Sequence, residues 1–355
     1  MAVRLAIVGV DPVQRDWVGA VEELRAAGEI EVVGAGHRTV ALARDLADEF
    51  SGGGEAGRVP AYDDLRLMLN ERQPQVVVLD RPENMTLELL LSCASQKIGV
   101  ISVGPPVETV AEAQALSEVL EARTHLLYVW PRMVGTFGYR QAAGAEDFGR
   151  PVRFASATWL GMNHAMAKAA GGEGEAAAKE GVVRSLSVLA WDALATLIEL
   201  IDVPTTVYAS VRGTVGMRDT FADMSGAAAL TLRFPEDGAA SVTLSDRMPG
   251  RVAPGGERSL LLFAQGCTAR IEAERYEFHD GEGRLMDEGS AEEKQGTGGA
   301  GEALREFLHH FQMPASPVRG WEHRLEAVAA TMEAVVVSHR TGQAESPERF
   351  WRLRR

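Results

Sequence analysis

Asp192, Arg132 and His164 are the side chains of this chain best suited by type to meet a small ligand. Asp192 lies seven residues after Ser185 in an apolar run, so a helix would put both on one face. A carboxylate there can line a pocket, or it can be held by backbone amides or an arginine. Arg132, in Trp130-Pro131-Arg132, has a fixed fork of donors that suits an anionic or polyol ligand. Its alternative role is an ion pair between domains. His164 can exchange a proton near neutral pH, or it can simply be solvated. Met162 and Met166 beside it suit packing. His309 and His310 are adjacent and would point to different faces of a helix, so they do not make a metal pair. No zinc spacing, Ser-His-Asp set or phosphate-loop pattern is present in the sequence, and no metal is expected.

The elements that must position these residues fall into two blocks. Over the first 130 residues, short apolar runs alternate with amphipathic ones. Val3–Val8, Ile30–Ala35, Val76–Leu79, Val100–Val103 and Leu126–Val129 read as strands. Gln14–Ala27, Val40–Phe50, Asp63–Asn70, Thr86–Gln96 and Val107–Arg123 read as helices. Apolar strands flanked by helices imply a parallel, doubly wound sheet buried on both faces. From residue 131 to 355 the pattern changes. A strand at Val152–Trp159, a Gly/Ala/Glu-rich stretch at Ala167–Gly181 and a long helix at Val182–Ile201 come first. The stretch can be a lid, and its composition equally suits disorder. Six strand-like runs follow, between Thr206 and His279, with Asp-Gly turn chemistry at 234–239 and 280–283. Helices at Gly301–Gln312 and Gly320–His339 close the chain and can pack back toward the first block. The second block therefore reads as a mostly antiparallel open sheet carrying one long helix. Leu230, Leu232 and Val242 are expected to form an apolar face that needs a partner.

The 355 residues allow two sizeable cores, and 46% hydrophobic with 24% charged is ordinary for a globular protein. A net charge of −14 repels phosphate backbones and anionic lipid, which argues against nucleic acid and membrane surfaces as partners. Cys93 and Cys267 are far apart, as in a reducing compartment. The start, MAVRLAIVGV, is short for a secretory segment, and no run of about 18 apolar residues follows. A cytoplasmic protein is expected.

Four phrases occur in order along this layout: Tyr62-Asp63-Asp64-Leu65, Pro82 after the Val76–Leu79 strand, Thr109–Ala113 (TVAEA), and Ser338-His339-Arg340-Thr341-Gly342. With them the chain resembles the glucose–fructose oxidoreductase, inositol dehydrogenase and rhizopine-catabolism family (Gfo/Idh/MocA) over nearly its whole length. The resemblance implies an N-terminal Rossmann-like dinucleotide-binding-type domain, 1–130. A C-terminal α+β domain, 131–355, would handle substrate and form homo-oligomers through its sheet. It also implies NAD or NADP as cofactor and a sugar or polyol as ligand.

At the site positions the chain departs from the family. The expected Gly-x-Gly-x-x-Gly reads Gly9-Val10-Asp11-Pro12-Val13-Gln14. Asp11 brings a side chain and a negative charge where backbone should approach pyrophosphate, and Pro12 removes an amide donor. His37 and Arg38 occupy the place of the ribose-binding acid; they can meet a 2′-phosphate or be solvated. The lysine of the family's Glu-Lys-Pro falls on Gly104. Anchoring its helix motif on Asp192 puts Ser185 at the aspartate and Leu189 at the histidine. A one-residue slip offers Arg184 and Val188, or Leu186 and Ala190, and neither restores a base. The resemblance also places Trp130 and Arg132 toward the cleft. The expectation is a protein of this fold that binds a ligand or partner without standard NAD(P)-dependent dehydrogenation. The alternative is an active oxidoreductase, or a non-redox reaction, using other residues.

Overall fold

The computed structural model describes residues 2–9, 15–37, 39–51, 58–80, 87–107, 109–123, 127–130, 133, 136–143, 151–161, 186–214, 224–247, 257–290, 304–305, 307–309, 311 and 322–352. The chain divides into two compact units. The first comprises Met1–Val107, Glu112–Trp130 and Ala300–His323; the second Glu108–Ala111, Pro131–Gly299 and Arg324–Arg355.

In the first unit, strands β1 (Val3–Val8), β2 (Ile30–Gly36), β3 (Ala61–Tyr62), β4 (Val76–Asp80), β5 (Gly99–Val103) and β6 (Leu127–Trp130) form one sheet in the order β3-β2-β1-β4-β5-β6. Every pairing is parallel, and the order is that of a Rossmann sheet. Helices α1 (Arg15–Ala26), α2 (Val40–Glu49), α3 (Leu65–Arg72), α4 (Leu87–Ser95) and α5 (Val110–Arg123) make the crossovers. Leu5, Ile7, Val76, Val78 and Ile101 are buried because strands covered on both faces must be apolar throughout. The Tyr62–Leu65 phrase has a local cause. Tyr62 is buried, and the Asp64 side chain caps α3 by accepting the Arg66 and Leu67 amides at 2.9 and 3.0 Å. That cap starts the helix at Leu65, not at Asp63 as the pattern suggests. Leu304, Phe307 and Leu308 complete this core, and Arg305 pairs with Glu23 and Glu29 on its surface.

In the second unit, β7 (Val152–Leu160), β8 (Thr206–Thr214), β9 (Ser225–Arg233), β10 (Ala239–Ser245), β11 (Glu257–Ala264), β12 (Cys267–Glu272), β13 (Arg275–Asp280) and β14 (Leu285–Ser290) make an eight-stranded sheet. The order is β14-β13-β12-β11-β7-β10-β9-β8, antiparallel except between β7 and β10. Helix α6 (Phe137–Ala143) packs on β12 and β13, and helix α7 (Leu186–Leu200) on β7, β9 and β10. Twelve of the fifteen residues of α7 are buried, which makes it a core helix. Helices α8 (Glu322–Thr341) and α9 (Pro347–Arg352) end the chain.

The sheet corrects one expectation. Leu230, Leu232 and Val242 are 1%, 0% and 1% exposed, buried within this chain on the face that α7 covers. The open face carries the other phase of the same strands: Phe154, Tyr208 and Phe263 are exposed, among Ser241, Thr231 and Thr243. Periodicity finds both faces but does not say which one the helix takes.

The edge strand β8 is sealed by the end of the chain. The Val207 amide donates to the Glu345 carbonyl at 2.7 Å, the Ala209 amide to Ser338 Oγ at 3.0 Å and the Val211 amide to His339 Nδ1 at 3.2 Å. Ser338 Oγ in turn donates to the Gln343 carbonyl, and Gly342 turns the chain with φ 65°. This explains the Ser338–Gly342 phrase as an edge lock.

Candidate functional site

In the first unit, Gly9 follows β1 with φ 69°, a left-handed turn that favours glycine, and its amide donates to the Gly36 carbonyl at 2.9 Å. A Cβ on Gly36 would lie 2.5 Å from Leu65 Cδ2, so the Leu65 side chain would have to move. His37 ends β2, half-buried, and its Nδ1 accepts the Thr39 amide at 3.3 Å. A neutral ring so held carries its proton on Nε2. Gly104 is buried with φ 96°, and Ser102 Oγ donates to its carbonyl at 2.9 Å. The backbone at this position is itself in a conformation that disfavours any side chain. Val10, Asp11, Pro12, Arg38 and Pro82 lie outside the described residues.

In the second unit, α7 holds the remaining candidates. Leu189 is 1% exposed, a packing residue. Asp192 is 2% exposed and saturated with donors. Its Oδ1 accepts the Met133 amide at 2.7 Å, and its Oδ2 accepts Trp159 Nε1 at 2.7 Å and Arg258 Nη1 at 3.3 Å. Of its two sequence-level roles, the structure shows the one in which amide and arginine hold it. Arg132, His164, Arg184 and Ser185 lie outside the described residues, and Trp130 is described only as the end of β6.

Sequence reasoning missed Arg258, Trp159 and Asp246. Asp246, fully buried, accepts the Leu186 amide at 3.2 Å and the Gly226 amide at 2.8 Å, so it fixes the N-terminal turn of α7 against β9. Gly213 and Gly226 face each other across β8 and β9 there. A Cβ on either would fall 1.9–2.0 Å from the opposite carbonyl oxygen. The available signal was an acid directly after the strand ending at Ser245 and ahead of a turn. Among the described residues no cluster of His, Cys, Asp and Glu could hold a metal ion.

No protein family matches the chain by sequence, and no curated protein does. Solved structures match it over nearly its whole length. A levoglucosan dehydrogenase solved with NADH and levoglucosan shares 14% identity at a TM-score of 0.74, covering 98% of this chain and 99% of that one. The chain has the fold of Gfo/Idh/MocA-type dehydrogenases. The UDP-N-acetylglucosamine 3-dehydrogenase GnnA from Acidithiobacillus ferrooxidans is 16% identical at a TM-score of 0.68, covering 96% of this chain and 99% of that one. The WlbA dehydrogenase from Bordetella pertussis, solved with NADH and UDP-GlcNAcA, is 14% identical at 0.70, covering 98% and 99%. No described helix is long and apolar enough to cross a membrane.

Proposed function

We propose that this chain is a cytoplasmic ligand-binding or partner protein built on a sugar-dehydrogenase fold, with a sugar or polyol as ligand, and that it does not run lysine–histidine hydride chemistry. The observation that carries the reading is Gly104. The position that would supply lysine has a buried backbone at φ 96°, which only glycine adopts freely. The buried Leu189 at the histidine position supports it, since it can neither take nor give a proton. Asp11 and Pro12 weaken a pyrophosphate cradle on sequence grounds. A second copy would cover the open sheet face at Phe154, Tyr208 and Phe263.

A second reading is an active NAD(P)-dependent oxidoreductase acting on a CH–OH group, or a non-redox reaction, with other residues. It is favoured by the match to proteins solved with NADH and sugar-type ligands. His37 with Arg38 would then suit NADP. Thermal denaturation with NAD⁺, NADH, NADP⁺ and NADPH separates the two, because a ligand of the folded state raises its stability. The first reading expects no saturable rise in melting temperature with any of the four. A saturable rise at sub-millimolar dinucleotide, together with turnover of any sugar or polyol, would replace it with the second.

A further inference from the structure

The C-terminal end of α7 opens onto a cavity of about 610 Å³ within the second unit, a volume that suits a small molecule. It lies about 21 Å along the helix from the Leu186 turn that Asp246 fixes. Five charged side chains from four elements line it: Arg153 from β7, Glu199 and Asp202 at the end of α7, Glu236 in the β9–β10 turn and Arg324 from α8. We propose that this cavity is a binding site for a neutral, hydroxyl-rich small molecule, a polyol or a sugar ring, separate from the dehydrogenase-type site discussed above.

Some polar atoms of this lining have no hydrogen-bond partner among the described residues. Arg324 Nη1 is closed off from solvent and makes no hydrogen bond among the described residues; the nearest carboxylate oxygen there, Glu199 Oε2, is 3.8 Å away in an ion pair. Asp202 uses Oδ1 on the Val203 amide at 2.7 Å, which leaves Oδ2 open. The Glu236 carboxylate has no partner among the described residues, while its carbonyl accepts Arg153 Nη1 at 2.8 Å. That bond pins a turn in which Glu236 and Asp237 both hold left-handed conformations, with φ 57° and 63°. Such strain in non-glycine residues persists where the surroundings enforce it. Glu199 and Asp202 also sit at a helix C-terminus, where the helix dipole disfavours negative charge. The dipole cost to the two acids is offset in part by the Val203 amide on Asp202 and by Arg324 near Glu199.

The charge pattern selects the ligand class. An anion would meet three carboxylates and a cation two guanidiniums. A hydroxyl both donates and accepts, so one ring of hydroxyls can use the Asp202 and Glu236 carboxylate oxygens and Arg324 Nη1 together. Ile201 and Val152 add an apolar surface for the C–H face of such a ring.

Calorimetric titration of the full chain with myo-inositol and D-glucose tests this, with inorganic phosphate and putrescine as charged comparators and Arg324→Met and Glu236→Gln as variants. The expected result is saturable binding of at least one polyol, weakened about tenfold or more in each variant. The neutral ligand should bind more tightly than either charged one. The variants change an exposed side chain, Glu236, and a partly buried one, Arg324, on different elements, and their dinucleotide response in thermal denaturation should equal that of the parent. Absence of saturable heat up to about 10 mM polyol, tighter binding of phosphate or putrescine, or polyol binding indifferent to both variants would each overturn the proposal. Polyol binding that ignores both variants but changes with bound dinucleotide belongs to the other site, so the two readings fail separately.

Discussion

Asp192→Asn is the substitution whose cost the structure defines most closely. Two carboxylate oxygens accept three donors, from Met133, Trp159 and Arg258, in a site sealed from water. An amide replaces one of those oxygens with a further donor. With the nitrogen at the Oδ2 position, it confronts Trp159 Nε1 and Arg258 Nη1. With the nitrogen at Oδ1, it confronts the Met133 amide. Each buried donor left without an acceptor costs about 1–3 kcal/mol, and breaking a buried ion pair from one side costs about 3–5 kcal/mol. These overlap, because the Arg258 donor enters both, so the expected loss is about 3–5 kcal/mol. At about 2–4 °C per kcal/mol for a unit of this size, the second unit should melt roughly 6–20 °C lower. Calorimetry and urea unfolding followed by tryptophan fluorescence measure it. Arg258→Met leaves Asp192 two strong donors and should be milder. The double variant Asp192→Asn/Arg258→Met should lose less than the sum of the singles, because no uncompensated cation remains. A loss below about 1 kcal/mol for Asp192→Asn, or strict additivity in the double variant, would show that the pair is not ionised and coupled as described.

Two further outcomes follow from packing and burial. Gly138→Ala places a Cβ 2.1 Å from the Glu272 carbonyl oxygen and 2.4 Å from that of Arg275, so α6 must lift off the β12–β13 turn. A loss of at least about 2 kcal/mol in urea unfolding is expected, with Gly19→Ala, which meets nothing within 4 Å, as the tolerated control. Burial pushes the Cys93 thiol from its ordinary value of 9.0 up to about 12. Unfolding therefore releases a proton between those values, and stability falls as pH rises through that window by up to about 1.4 kcal/mol per pH unit. Urea unfolding from pH 8 to 10 should show a shallower decline in Cys93→Ala; equal slopes would refute the burial account.

The first sheet is legible because strands covered on both faces must be continuous apolar runs. Val76–Asp80 and Gly99–Val103 fit that rule with little else to place there. Ala61–Tyr62 has only two residues and shows no period, so β3 is invisible without its partner β2. Leu285–Ser290 is a strand through pairing with β13 alone, exposed over its first four residues and half-buried over the last two, and has no alternation to read. Helix α9 did leave a signal in Ser346-Pro347, a capping residue followed by proline at the first helical position. The site was legible one residue at a time. Asp192 stood out as an acid in an apolar helix. Trp159 and Arg258 sit directly opposite each other in paired strands, yet they lie 33 and 66 positions from Asp192. Only strand register brings the three together, and register between distant segments has no local signature.

The edge lock on β8 has a consequence during protein synthesis. The amides of Ala209 and Val211 wait for Ser338 and His339, 129 and 128 residues further along the chain. At roughly 5–20 residues per second, the ribosome needs about 6–26 s to make that stretch. During that interval a growing chain presents an open, strand-ready border to its neighbours on the same message. The rate of elongation between residues 209 and 339 therefore governs how long each nascent copy is exposed to mispairing.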